Sequence, residues 1–310
     1  MYKPLQPVAL MKKIMDANFK PFFSASLLLT IALATHSQDN AKPKPIKLPE
    51  TQVESMRAPD NIKIDGKTTE WDDKFQAKNP IDRINYTISN DDKNLYLTVR
   101  AQGAYPGAKI VAGGITFTIS HSVEKKKREK EPGNVSVTFP LTNSIKAASI
   151  NAKHYHYWND LAGNVVKHKG AIDSLHEAID AQIGEACKEI VVTGIKDMDT
   201  LSVYNAEGIK AVIRFSDTFI CVFEMAIPLK YLGLSTDNPE KFSYNIKISA
   251  IRQPQSTRTG ARVVDIRQSS FGSGNMDAPM MPMMMGPPDR DMVYLHDDTD
   301  FWAEYTLAKK

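Results

Sequence analysis

The chain has 310 residues, a formal charge of +3 and an aromatic content of 8%. Lys3, Lys12, Lys13 and Lys20 against Asp16 place that whole surplus in residues 1–37, so the remainder is near neutral and a basic field for a nucleic-acid partner is not indicated. No GxSxG, HExxH, CxxC or phosphate-cradling glycine loop occurs, which argues against the common enzyme classes, and no carboxylate pair stands out for a hydrolase.

In chain order, Lys12, Lys13 and Lys20 lead into a mostly apolar run from Pro21 to Ala34, with the small residues Thr35 and Ser37 beyond it. That is the arrangement of a signal peptide over 1–37. The run is shorter than the roughly 20 residues that cross a bilayer. The expectation is therefore a secreted or periplasmic, cell-envelope protein with no transmembrane anchor once the signal is removed. No Cys follows the run, which argues against a lipid anchor, and Met11-Lys12-Lys13 is the more usual beginning for such a signal. Residues 38–59 hold Pro43, Pro45, Pro49 and Pro59 among charged residues, the composition of an extended linker. The rest, 60–310, suits a single domain with insertions at about 141–186 and 268–292.

Ile84, Tyr86 and Ile88, then Leu95, Leu97, Val99 and Ala101, alternate with polar residues. These are the patterns of two half-buried strands, joined through Ser89 to Asn94 as a hairpin. Ile115, Phe117 and Ile119 with Val135, Val137 and Phe139 form a second pair around the charged tip Glu124 to Glu131. Gly113-Gly114 before it allows a bulge or a close backbone approach. Ile172, Leu175, Ile179 and Ile183 fall at helical spacing. Strands resume at Glu189 to Thr193, Ile209 to Phe215, Phe219 to Met225, Phe242 to Ala250 and Phe301 to Leu307. Nine to eleven strands in all predict a mainly β, antiparallel two-sheet β-sandwich with a short helical insertion.

Two segments carry a family likeness. Ile64-Asp65-Gly66 followed by Glu70-Trp71 and the strand Asn94-Leu95-Tyr96-Leu97, with Glu224 before Ala226-Ile227-Pro228 and a turn at Leu232-Gly233, resembles the family 9 carbohydrate-binding modules and the wider DOMON-like sandwiches. The likeness spans roughly Ala58 to Leu307. It implies a non-catalytic sandwich, with sugar binding in the named family and haem or other ligands among its relatives; fold alone does not transfer function. It also implies a possible calcium ion, for which Asp91, Asp92, Asp297, Asp298 and Asp300 are the oxygen donors in turns.

For glycan or polysaccharide binding, the candidate residues are His154, Tyr155, His156, Tyr157 and Trp158, where a strand would send His154, His156 and Trp158 to one face. Trp302 is a further candidate, since it alternates with Phe301 and Ala303 and so points away from the core. A core aromatic strand, or a metal site completed by His168, His176 or Asp160, are the competing readings of the His-rich run. The segment Phe271 to Pro288 has no counterpart in the family pattern. Its Met280, Met281, Met283, Met284 and Met285 suit either Cu(I) ligation by thioethers or an adaptable contact with a protein partner. Cys187 and Cys221, the two cysteines, read either as a disulfide of an exported protein or as buried free thiols.

Overall fold

The computed structural model of the chain describes residues 47–72, 74–143, 146–153, 169–216, 218–252 and 290–310, with side chains from 174 onward in the helix that begins at 169. Among the described residues eleven strands form two sheets. The first contains β1 (Ala77–Asn79), β2 (Ile84–Asn90), β3 (Asn94–Ala101), β8 (Lys210–Phe215) and β9 (Cys221–Pro228), in the order β1-β2-β3-β9-β8. The second contains β4 (Ile115–Ser120), β5 (Val135–Phe139), β6 (Glu189–Thr193), β7 (Thr200–Ser202), β10 (Lys241–Ile248) and β11 (Thr299–Thr306), in the order β11-β10-β4-β5-β6-β7. Every ladder is antiparallel. The expected antiparallel two-sheet sandwich is what the chain builds.

The alternating residues set the core. Ile84, Ile88, Leu97 and Phe223 of one sheet and Phe117, Val137, Phe242 and Ile246 of the other are essentially inaccessible to solvent. Each such side chain contributes roughly 1.5–3 kcal/mol by leaving water. Tyr86 and Tyr244 join the sheets through a 2.8 Å hydroxyl-to-hydroxyl hydrogen bond. A buried phenol keeps a partner in this way.

The first sheet departs from the half-buried expectation. Thr87, Ser89, Thr98, Glu224 and Ala226 alternate with the core residues and are nevertheless buried. Residues 62–72 and 74–76 lie across them: Asp65 and Gly66 donate their N–H groups to Glu224 Oε2 at 3.0 and 2.8 Å. Gln76 donates its N–H to Thr87 Oγ1 at 3.2 Å, and the Arg100 guanidinium stacks 4.7 Å from the Phe75 ring centre. Trp71, in a 3-10 turn (Thr69–Trp71), is only 5% exposed. The two motifs that suggested the family, about 160 residues apart, are thus one physical unit. Gly66 turns at φ +79°, and a Cβ there would lie 2.7 Å from Arg214 Cβ.

Helix α1 (Ala104–Gly113) was not anticipated, because Tyr105-Pro106-Gly107 reads as a breaker. Pro106 sits in the first turn, where its missing N–H costs nothing. Gly113 serves close approach, since a Cβ would meet Ser249 O at 1.9 Å. Helix α2 (Lys169–Ala186) buries Ile179 and Ile183 as its spacing predicts. Two short helices, α3 (Leu229–Leu232) and α4 (Arg290–His296), follow β9 and precede β11.

Residues 47–59, expected as linker, pack along the edges of both sheets. The Gln52 side chain accepts from Ile88 N and donates to Ile88 O, while Ser55 Oγ donates to Thr306 O at 2.6 Å. Cys187 and Cys221 are buried free thiols. Burial pushes the Cys187 thiol up to about 12 and the Cys221 thiol higher still.

Candidate polar face and clefts

On the outer face of the second sheet Thr116, Thr118, Ser136 and Thr138 stay partly in solvent, while Ser120, Ser243 and Asn245 are buried. Register places Trp302 beside Asn245, Asn245 beside Thr118, Thr118 beside Ser136 and Ser136 beside Thr193. One row therefore crosses five strands, about 19 Å at the usual strand spacing. A parallel row carries Lys247, Thr116 and Thr138. Hydroxyls pair across the strands, Thr116 with Thr138 and Thr118 with Ser136, both at 2.8 Å. Asn245 donates to Asp300 Oδ2 and to Phe301 O.

Trp302 is half-buried on this face, pointing outward as the alternation predicts. The Arg128 guanidinium lies 4.9 Å from its ring centre, a cation over an aromatic face. Arg128 belongs to the charged hairpin tip, so that loop reaches back over the sheet rather than standing free in solvent. Arg128 Nε is shielded from water and has no hydrogen-bond partner. Beside the indole lies a cleft of about 390 Å³, whose polar groups include Gln52, Ser55, Lys241 and Glu304. Lys241 and Glu304 form an ion pair at 3.2 Å. Nothing in the sequence marked Arg128 as a partner of Trp302, because their 174-residue separation is bridged only by the β10–β11 and β10–β4 pairings.

A second concentration of chemistry is sealed. Asp82 and Lys109 are both inaccessible to solvent. Lys109 Nζ donates to Thr299 Oγ1 at 2.9 Å and sits 4.2 Å from the centre of the Tyr294 ring, with the Arg83 guanidinium 4.3 Å from that centre. Arg83 pairs with Asp291, and Tyr294 donates its hydroxyl to Asp82 O at 2.8 Å. Neither carboxylate oxygen of Asp82 has a hydrogen-bond partner. Burial raises its pKa to about 7, against the opposing pull of the Lys109 charge. Burial likewise lowers Lys109 to about 8. This cluster fastens α4 to α1 and the start of β2. Glu224, raised to about 7 by burial, is equally closed to solvent. Acids without access to water or substrate are structural groups, whatever their pKa.

The predicted residues divide sharply. His154, Tyr155, His156, Tyr157 and Trp158 lie outside the described residues, as do Met280, Met281, Met283, Met284 and Met285. Four of the five proposed calcium donors, Asp91, Asp92, Asp298 and Asp300, carry hydrogen bonds or ion pairs to protein groups. Asp91 accepts from Lys93 N, Asn94 N and the Tyr96 hydroxyl, and these bonds outweigh burial to hold its pKa low. Asp92 pairs with Arg57, Asp298 with Lys247, and Asp300 with Asn245. Among the described residues no three His, Cys, Asp or Glu side chains gather as a metal site, and no helix is long and apolar enough to cross a membrane. His176 stacks on Phe219 with ring centres 3.9 Å apart, a packing role. Compared with protein families, with curated proteins and with solved structures, the chain finds no match.

Proposed function

We propose that the chain is an exported, non-catalytic glycan-binding protein that receives its ligand on the outer face of the second sheet. The observation that supports this is Trp302 in register with Asn245, Thr118, Ser136 and Thr193. A pyranose presents an apolar C–H face and a rim of hydroxyls. An indole suits the first, and a row of hydroxyls, each both donor and acceptor, suits the second. The length of the row fits a short oligosaccharide lying across the strands. Arg128 and Glu304, beside the ring, supply charge-assisted hydrogen bonds to further hydroxyls. The N-terminal apolar run supports export.

Tryptophan fluorescence of the chain, titrated with soluble glucan, xylan and mannan oligosaccharides, tests this. A saturable change retained in Trp158→Ala and lost in Trp302→Ala is the expected result. A change lost only in Trp158→Ala would move the ligand to the His154 to Trp158 run. No binding of any sugar by folded protein would end the glycan assignment.

A further inference from the structure

A separate cavity, of about 570 Å³, opens between α2 and β8. Phe139, Ile183, Cys187 and Ile213 form its floor and are all buried, and Ile64 adds to its wall. The lip carries the acid Asp180 and two cations, Lys210 and Arg214, of which Arg214 lies against the acid. Arg214 Nε stands 3.7 Å from Asp180 Oδ2, beyond hydrogen-bond reach. Asp180 Oδ1 is itself shielded from solvent and has no hydrogen-bond partner. An acceptor and a donor thus face one another with neither satisfied by the other. A single hydroxyl completes both, accepting from the guanidinium and donating to the carboxylate.

Two further features keep the opening clear and extend it. Gly184, near the end of α2, lines the cavity, and a Cβ at that position would meet nothing within 4 Å. Glycine weakens a helix relative to alanine; what its presence here provides is an unobstructed entrance. Tyr204, also in the lining, is 88% exposed, an aromatic surface on which the outer part of a guest can rest. An apolar chamber with a few convergent polar groups is the usual form of a small-molecule site.

We propose that this mouth binds a compact apolar molecule bearing a hydroxyl group, of the phenol class, with its body against Ile183 and Ile213 and its hydroxyl between Asp180 and Arg214. This site is separate from the Trp302 face and takes a different ligand class.

The probe is 2-naphthol, followed by its own fluorescence and by calorimetry, with 2-methoxynaphthalene as the counterpart that cannot donate. Saturable binding of 2-naphthol, at least tenfold weaker for the methyl ether, is expected. Gly184→Leu should abolish it while leaving the circular dichroism spectrum intact, since the added side chain enters open space and favours the helix. Asp180→Ala, on the accessible side of α2, should weaken 2-naphthol to the level of the ether and provides the decisive result if the leucine variant fails to fold. Trp302→Ala should leave naphthol binding unchanged. Equal affinity for the two probes, no binding of 2-naphthol, or binding indifferent to both α2 variants would overturn the proposal.

Discussion

The two sheets present similar outward residues and meet opposite fates. Thr87 and Thr98 on the first are 1% exposed, whereas Thr116, Thr118 and Thr138 on the second are half-buried and pair hydroxyl to hydroxyl. The strands' own patterns do not account for this; residues 62–72 and 74–76 cross the first sheet and are fastened by Glu224. One face has become a second core layer, while the other buries Ser120, Ser243 and Asn245 but keeps Thr116, Thr118 and Thr138 within reach of a ligand. Binding surface in this sandwich is therefore assigned by which sheet the entering chain covers.

The sharpest way to break that contrast is to exchange equivalent residues. Trp71→Ala, within the covering segment, should cost about 3–5 kcal/mol, the range for deleting a buried aromatic. Trp302→Ala on the open face should cost about 1 kcal/mol or less. Urea unfolding of both variants measures the difference, and equal losses would mean that the second face is as enclosed as the first.

Next in size is the pH dependence written into the latch. Glu224 rises from 4.5 to about 7 on folding because burial disfavours its charge. Below about pH 4 both folded and unfolded states hold the proton, and its stabilising effect is fully present. As pH rises the unfolded chain releases that proton first, and the folded protein must then ionise in a closed site. At about 1.4 kcal/mol per pKa unit, roughly 3 kcal/mol is withdrawn by pH 8. Thermal melts from pH 4 to 8 should show that decline. In Glu224→Gln, which still accepts from Asp65 and Gly66, this share should vanish, leaving the part that Asp82 contributes through the same window.

Much of this fold was legible from period-two alternation. The hairpins that set Ile88 beside Leu97 and Phe117 beside Val137 follow from it, as does the outward direction of Trp302, whereas the pairing of Phe242 with Tyr305 appears only in the structure. Helix α1 was hidden because Pro106 and Gly107 carry the same letters in a first helical turn as in a loop. The second layer over the first sheet was hidden for another reason. A threonine buried under a distant segment is locally indistinguishable from one in water, and only the contact between residues 65–66 and Glu224 decides. The candidate face was legible only in its aromatic. Arg128, Asn245 and Asp180 became candidates through three-dimensional neighbours, and a local pattern carries no trace of those.

Smaller effects probe each face at a single position. Gly66→Ala should cost about 1–2 kcal/mol, because alanine resists positive φ and the added Cβ meets the Arg214 side chain; chemical denaturation reads it. Thr118→Val is the mildest change and separates the two roles most cleanly. It keeps the β-branched shape favoured in strands and removes the hydroxyl shared with Ser136. Stability should move by no more than about 0.5 kcal/mol, the usual bound for surface substitutions. Oligosaccharide affinity should fall several-fold if the row is a recognition surface, because the lost hydroxyl leaves a sugar group without its partner. An unchanged affinity alongside unchanged stability would confine the ligand to the cleft beside Trp302 and leave the threonine rows as ordinary sheet surface.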